Sequence, residues 1–309
     1  MITTPSNAEV ISFPPSPIRY QNEVPGFSKE EIPGKGIGLI ANRTIYRGEV
    51  IMQRLPTLII HLGAHFHLPS GERTNLYDRA VQSLSISARE RFMKQVGTDI
   101  YAKIDRNAFR FFIPGIGDEG GHLGSYPDAA LLNHDCRPNV HYRIQNMTHI
   151  TVAVRDISPG EELTISYVDG MLSQAGRQNR LNDWGFACTC SVCSGGEAKI
   201  EESDKRLKRI AHLTSNLDSF EGEVTPETGA ELVSLHVEEG LHMYLGHAYT
   251  RAALNFALFG DGRAKEYAEE AVKAATREFG EHAGDVQSMK DLERDPRGHW
   301  AWGLRTHRF

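Results

Sequence analysis

The sequence predicts an α+β fold with a strand-rich front part and an α-helical C-terminal part. Three observations carry this. Short runs rich in Val and Ile, bounded by Gly and Pro, recur through the first half, as strands with tight turns do. Apolar residues at helical spacing dominate the last third. Between the two patterns stand Cys188, Cys190 and Cys193, at C-x-C-x2-C spacing.

Each element has its own signal. Residues 1–25 contain Pro14, Pro15 and Pro17 and no basic start before an apolar block, so they read as a flexible tail and not as a secretory signal. Residues 36–42 (GIGLIAN) and 49–53 predict two strands joined by a turn at Arg47-Gly48, and 57–61 a third. Leu76, Ala80, Leu84, Phe92 and Val96 fall at helical spacing, so residues 70–96 belong to a helical insertion spanning about 54–106. Residues 108–113 are aromatic and strand-like. A Gly-rich loop follows, with Gly115, Gly117, Gly120, Gly121 and Gly124. Residues 140–144 and 148–154 flank Gln145-Asn146-Met147 as a hairpin. Ile157-Ser158-Pro159-Gly160 is a turn, 163–168 a strand, and 173–184 a short helix leading into the cysteines.

Ser194-Gly195-Gly196 reads as a linker into the helical region. Residues 231–259 predict two helices broken near Gly246. Ala264, Tyr267, Ala268, Ala271, Val272, Ala275 and Phe279 follow the period of an amphipathic helix, with Asp261 as N-cap and Gly280 as stop. Helix pairs of the tetratricopeptide kind would fit, but no clean repeat of about 34 residues is present.

Composition excludes several classes. The chain has 309 residues, 40% hydrophobic and 24% charged, enough to bury a core without staples and to form about two domains. No apolar run approaches the roughly 18 residues of a membrane span. Net charge is −6. Residues 1–200 hold 20 acids and 20 bases, while 201–309 hold 20 acids and 14 bases. A strongly basic footprint is absent, which argues against direct nucleic-acid binding. The four cysteines, without a signal peptide, place the chain in a reducing, intracellular setting in nucleus or cytoplasm. The run Lys205-Arg206-Leu207-Lys208-Arg209 reads as a helix face before it reads as a nuclear signal.

Three thiols in one tight turn point to metal ligation. A closed zinc site needs four ligands, and if all are thiolates the fourth is Cys136, 52 residues before Cys188. The alternatives are free cysteines in a loop, or a histidine completing the site. Residues 133–139 (NHDCRPN) concentrate hydrogen-bonding groups that suit either a polar ligand or a capped turn. Residues 34–38 (GKGIG) either let backbone approach a ligand or form a simple tight turn. His61, His65 and His67 lack carboxylates and helix geometry and read as neutral surface histidines. No P-loop, dinucleotide fingerprint or nucleophile elbow is present.

Five segments in order carry a resemblance: GKGIGL (34–39), NAF (107–109), YPDAALLNHDCRPN (126–139), GEELTISY (160–167) and CTCSVC (188–193). Together, over about residues 30–195, they resemble the SET-domain protein lysine methyltransferases, SMYD-type branch and its fungal relatives. The resemblance implies a SET fold of small twisted sheets with knot-like threading over residues 26–170, with residues 133–139 beside 160–167. A zinc-bound post-SET segment over 171–195 and a helical region over 196–309 would follow. It implies S-adenosylmethionine as methyl donor, contacted by Lys35, Gly36, Ile37, Asn107, Asn133, His134 and Phe186. It implies Tyr167 as catalytic tyrosine, with Phe109, Tyr126 and Trp184 lining a lysine channel. It implies zinc on Cys136, Cys188, Cys190 and Cys193. The partner is a protein carrying a target lysine, histone or not, met by a monomer.

Three departures stand out. Asp135 replaces a small residue, and is expected to pair with Arg137 or to alter the loop. Trp184 stands where many relatives have tyrosine. Residues 53–107 contain no cysteine, so the MYND zinc module of SMYD-type proteins is absent. The alternative to an active methyltransferase is a catalytically weak SET protein acting as a scaffold.

Overall fold

The computed structural model describes residues 1–3, 26–113, 120–219 and 222–306. Its front part is built from four small sheets. β1 (Phe27–Ile32) and β2 (Gly36–Ala41) form an antiparallel pair. β3 (Val50–Arg54), β9 (Thr148–Ala153) and β8 (Val140–Gln145) form a second sheet, in that order. β4 (Leu58–His61), β6 (Gly121–Ser125) and β5 (Ala108–Phe112) form a third. β7 (Asn133–His134) pairs in parallel with β10 (Thr164–Ile165). Leu39, Ile45, Met52, Leu132, Val140, Ile157 and Leu163 form one apolar core, while Leu58, Ile60 and Leu123 of the third sheet pack with Tyr77, Phe92 and Ile104 in another.

The β8–β9 hairpin follows its turn chemistry. Gln145 pairs with Thr148, and Asn146 and Met147 both have positive φ, 47° and 63°. That is the I′ geometry matching strand twist, and Asn tolerates it best after Gly. Four helices fill the insertion: α1 (Leu62–Phe66), α2 (Ser70–Gln82), α3 (Ile86–Met93) and α4 (Ile100–Asn107). Ser85 and Asp99 cap α3 and α4 through their side chains, accepting from the amides of Ala88 and Ala102.

After α5 (Gln174–Leu181) come five longer helices: α6 (Glu197–Asp218), α7 (Thr228–Glu238), α8 (Leu245–Leu258), α9 (Ala264–Phe279) and α10 (Gly284–Arg294). They bury Ala253, Ala257, Ala264, Ala268 and Ala271 around Phe256 and Leu292. The basic run at 205–209 lies on α6, where Lys205 pairs with Glu201 and Arg209 with Glu231.

Several sequence expectations need correction. Residues 4–25 of the expected tail lie outside the described residues, but Ile2 bridges Ile60 at the edge of β4. Of the expected Gly-rich loop, 115 and 117 lie outside the described residues. Gly121 and Gly124 sit instead in the central strand of their sheet. A Cβ there would stand 2.6 Å from Leu62 and 2.5 Å from Tyr126, so glycine serves side-chain packing and not looping. The expected strand at 163–168 is only the two residues of β10. The break between α7 and α8 is at 239–244. Gly246 lies within α8, where a Cβ would come 2.9 Å from the Ala275 Cα. Asp261 caps no helix as its N-cap; α9 starts after Arg263, whose amide donates to the Asp261 carboxylate. His65 is not at the surface: it is fully buried between Tyr77 and Tyr101, with a ring nitrogen 2.8 Å from the Tyr77 hydroxyl.

Candidate functional site

The parallel pairing of β7 with β10 sets the site. It places Asn133 beside Thr164 and His134 beside Ile165, so residues 31 apart in sequence share one short ladder. Asn139 locks it, accepting from the Thr164 amide at 2.9 Å and donating to the Glu162 carbonyl at 2.8 Å.

Glu162 is a functional candidate the sequence reading passed over. One carboxylate oxygen accepts from the Asn133 amide at 2.8 Å, the other from Lys35 Nζ at 2.7 Å. Gly38 makes this approach feasible: a Cβ would stand 2.9 Å from both Asn133 Nδ2 and Glu162 Oε1. Thus the 34–38 segment, Asn133 and Glu162 meet as one cluster. Gly36 has open space where a Cβ would stand, and Ile37 is 48% exposed. The signal for Glu162 was its place inside the GEEL run, which composition reads as surface charge.

His134 has a defined tautomer. Its Nδ1 accepts from the Tyr167 backbone N–H at 3.0 Å, so the proton sits on Nε2, which lies 3.4 Å from Cys136 Sγ. Burial, helped by nearby cations, lowers its pKa to about 4 and keeps the ring neutral. The ring therefore joins the Tyr167 backbone to the first thiol. Tyr167 donates its hydroxyl to the Leu132 carbonyl at 2.8 Å and touches the rings of His134, Trp184 and Phe186. Burial first, and the Glu162 charge second, push its hydroxyl up to about 12. Phe186 remains 37% exposed.

The four cysteines converge. Cys136 Sγ lies 3.8 Å from Cys188 Sγ and 3.6 Å from Cys193 Sγ, and all four Sγ atoms lie within 4.8 Å of one another. Zinc–sulfur bonds of about 2.3 Å in a tetrahedron set the sulfurs about 3.8 Å apart, so this set could bind zinc. Gln178 on α5 clamps the loop by bonding both the N–H and the carbonyl of Cys188. Arg177, on the same helix, is fully buried and was not read as part of the site. Its Nη1 donates to the Leu172 carbonyl, and beyond that the guanidinium faces the Cys136 and Cys193 sulfurs. Burial disfavours its charge, but the adjoining Cys136 and Cys193 sulfurs outweigh that and hold the guanidinium charged.

Asp135 does not pair with the Arg137 guanidinium. It accepts from the Arg137 backbone N–H at 2.8 Å, an Asx turn, and burial raises its pKa to about 6. The expected aromatic channel is divided. Phe109 and Tyr126 contact each other, and both contact His149, with Tyr142 also against Phe109. Tyr126 is fully buried and gives its hydroxyl to Met147. Among the described residues, the rings around Tyr167 are His134, Trp184 and Phe186 instead. Asn107 gives its side-chain amide to the carbonyls of Val96 and Lys103, closing the end of α4, and no described contact joins it to Asn133.

Residues 36–168 match the family model described as the SET domain. The chain carries a SET domain. Histone-lysine N-methyltransferase set5 of Schizosaccharomyces pombe is 47% identical over 214 residues, 62% of this chain and 58% of that protein. N-lysine methyltransferase SMYD2-B of Danio rerio is 28% identical over 190 residues, 54% of this chain and 44% of that protein. Histone-lysine N-methyltransferase SMYD3 of Homo sapiens is 34% identical over 130 residues, 38% of this chain and 30% of that protein. The matches thus span between about a third and three fifths of these relatives' own length. The SET domain accounts for the small sheets and for the β7–β10 ladder. Among the described residues, no helix is long and apolar enough to cross a membrane.

Proposed function

We propose that this SET domain transfers a methyl group from S-adenosylmethionine to a lysine side chain of another protein. The observation that carries the reading is the ladder of Asn133-His134 on Thr164-Ile165, which sets a half-buried Asn133 and a buried His134 against Tyr167; the lysine methyltransferase names of similar proteins support it. The surroundings fit such a donor. The 34–38 backbone is open, Ile37 and Phe186 offer exposed apolar faces, and Asn133 and Glu162 supply polar groups for an amino-acid end.

When bound, S-adenosylmethionine supplies an electrophilic methyl on a sulfonium. The residues of this chain do the rest. Free lysine has a pKa near 10.4, so the amine must lose its proton before it can attack. An aromatic surround such as Tyr167, Trp184 and Phe186 desolvates the ammonium and favours the neutral amine. Tyr167 stays protonated because burial raises its pKa, and its hydrogen is given to Leu132, so its role is to orient the amine through its lone pairs and not to act as base. Alignment of amine and methyl is the larger rate contribution. Phe109 and Tyr126 would brace the site from the core, and Asn107 would act from the end of α4. Zinc on Cys136, Cys188, Cys190 and Cys193 would hold the post-SET loop, and with it Trp184 and Phe186, over Tyr167.

The test is methyl transfer from labelled S-adenosylmethionine to a reduced cell extract, wild type beside Tyr167→Phe. A band labelled by wild type alone supports the reading and gives the substrate's size. No label from wild type, with donor binding confirmed, overturns it in favour of a scaffold.

A further inference from the structure

The loop at 239–244, between α7 and α8, lies far in sequence from the SET domain yet holds both strands of its ladder. On one side, Arg137 donates Nε to the Glu239 carbonyl at 2.8 Å and Nη2 to the Glu239 carboxylate at 2.5 Å. Both side chains are buried, at 8% and 2% exposed. On the other side, Tyr244 accepts from the Gly170 backbone N–H at 3.0 Å and donates to the Asp169 carboxylate at 3.2 Å. Arg137 closes the ring, bonding the carbonyls of Cys136 at 2.7 Å and Gly170 at 3.1 Å. Residues 136–137 leave β7 and residues 169–170 leave β10, so one loop fastens both exits. The ladder itself has only two residue pairs and could not hold its register unaided.

Glu239 is fastened in turn from the helical side. Its carboxylate accepts from Arg206 Nε at 2.6 Å and from the Ser203 hydroxyl, both on α6. A carboxylate this buried must be fully bonded, and here both oxygens and the backbone carbonyl are used. The network has a directional consequence. Removing Glu239 strands Arg137 without its ion pair, directly beside the segment that carries Asn133, His134 and Cys136.

We infer that Glu239 and Tyr244 are positioning residues: the helical region sets the Asn133-His134 and Tyr167 strands in register, so that donor affinity depends on contacts made from outside the SET domain. This rests on the reading of the ladder as a donor site. The hydrogen bonds of Glu239 and Tyr244 toward the SET domain go to Arg137, Asp169 and Gly170, so both act through these residues.

The experiment uses the full chain with Glu239→Gln, Tyr244→Phe, Arg137→Met, and Arg137→Met combined with Glu239→Gln. Hydrogen exchange and S-adenosylmethionine calorimetry are both read at a temperature well below every variant's melting point. For Glu239→Gln the expected results are about tenfold faster exchange at the amides of 133–137 and 164–170, unchanged exchange in α9, and a donor Kd raised about tenfold. Tyr244→Phe should raise Kd less, about threefold. The double variant should recover part of the affinity lost in Glu239→Gln, because no charge is left stranded. Variants that melt earlier but keep wild-type exchange in the ladder and wild-type donor Kd would overturn the inference. The donor-site reading fails separately: wild type that binds no donor contradicts that reading, while the exchange rates still decide whether the loop fastens the ladder.

Discussion

The front part and the helical part of this chain are held together by different means, and the difference explains where the chemistry lies. In the front, short strands are fastened by side-chain hydrogen bonds between distant segments: Asn139 to residues 162 and 164, Asn133 to Glu162, His134 to Tyr167. Polar groups buried for structure are there already oriented for a ligand. In the helical part, small residues bring helices close, with Gly229 against Ala252 and Gly246 against Ala275. The polar cluster lies within the residues that match the SET domain, and the helical part meets it through Glu239 and Tyr244.

The largest expected effect tests the thiol cluster. Cys190→Ser takes one of the four thiols that could bind zinc, and a chelator would take the metal itself; structural zinc binding is coupled to folding, with apparent values of about 10–16 kcal/mol. The expected outcome is loss of the metal together with loss of proteolytic protection over residues 184–193. Purified wild type that holds no zinc yet is fully protected there would break this half of the comparison. Arg177→Met should sharpen it: with the buried cation gone from beside the sulfurs, zinc should leave faster to a chromogenic chelator, while Arg177→Lys restores part of the retention.

Next comes the helical packing. Gly229→Ala puts a Cβ 2.5 Å from the Ala252 Cα, a backbone atom that cannot step aside. A cost of about 1–3 kcal/mol is expected from such overpacking, read as a lowered melting temperature. Gly71→Ala on α2, where nothing lies within 4 Å, is the control and should be neutral or stabilising. Equal effects of the two would contradict the close-packed account.

A pH effect of similar size is expected at Glu278. This carboxyl is buried at the end of α9, with one oxygen bonded to the Gly246 amide at 2.7 Å and the other unpartnered. Burial raises its pKa from 4.5 to about 8. The unfolded chain ionises it above 4.5 and the folded chain does not, so its contribution to stability is full below 4.5 and is lost as pH rises through about 8. Glu278→Gln should flatten that fall, a change on the order of a few kcal/mol at pH 8. Identical pH–stability profiles for variant and wild type would show that the carboxyl is ionised in place.

The smallest effect is expected at the surface. Arg209→Ala breaks an exposed pair with Glu231 at 2.7 Å and should cost less than about 1 kcal/mol in a denaturant titration.

How much of this the sequence made legible depends on the kind of interaction. Cys136 was legible because one cysteine remained once the C-x-C-x2-C cluster was set aside. The Asn133-His134 ladder was legible through motif order, and α9 through its unbroken apolar stripe. Glu239 was not: its partner Arg137 is 102 residues away, and a Glu-Glu pair at a helix end looks solvated. Glu278 was missed for the same reason. His65 was read as exposed because nothing local announces Tyr77 and Tyr101 closing over it. Gly121 and Gly124 were read as loop because glycine signals turns, whereas here it makes room for Leu62 and Tyr126. The two-way split of the aromatic residues could not be read from spacing, since Phe109, Tyr126, Tyr167 and Trp184 come from four separate segments of the chain.

The central claim is that the ladder at residues 133–134 and 164–165 is the donor site and that Tyr167 acts on the substrate. Calorimetry of S-adenosylmethionine binding to wild type, Asn133→Ala and Tyr167→Phe tests it most directly. The account predicts about tenfold or greater loss of affinity for Asn133→Ala and a change within about twofold for Tyr167→Phe. Equal affinities for the two variants would contradict it.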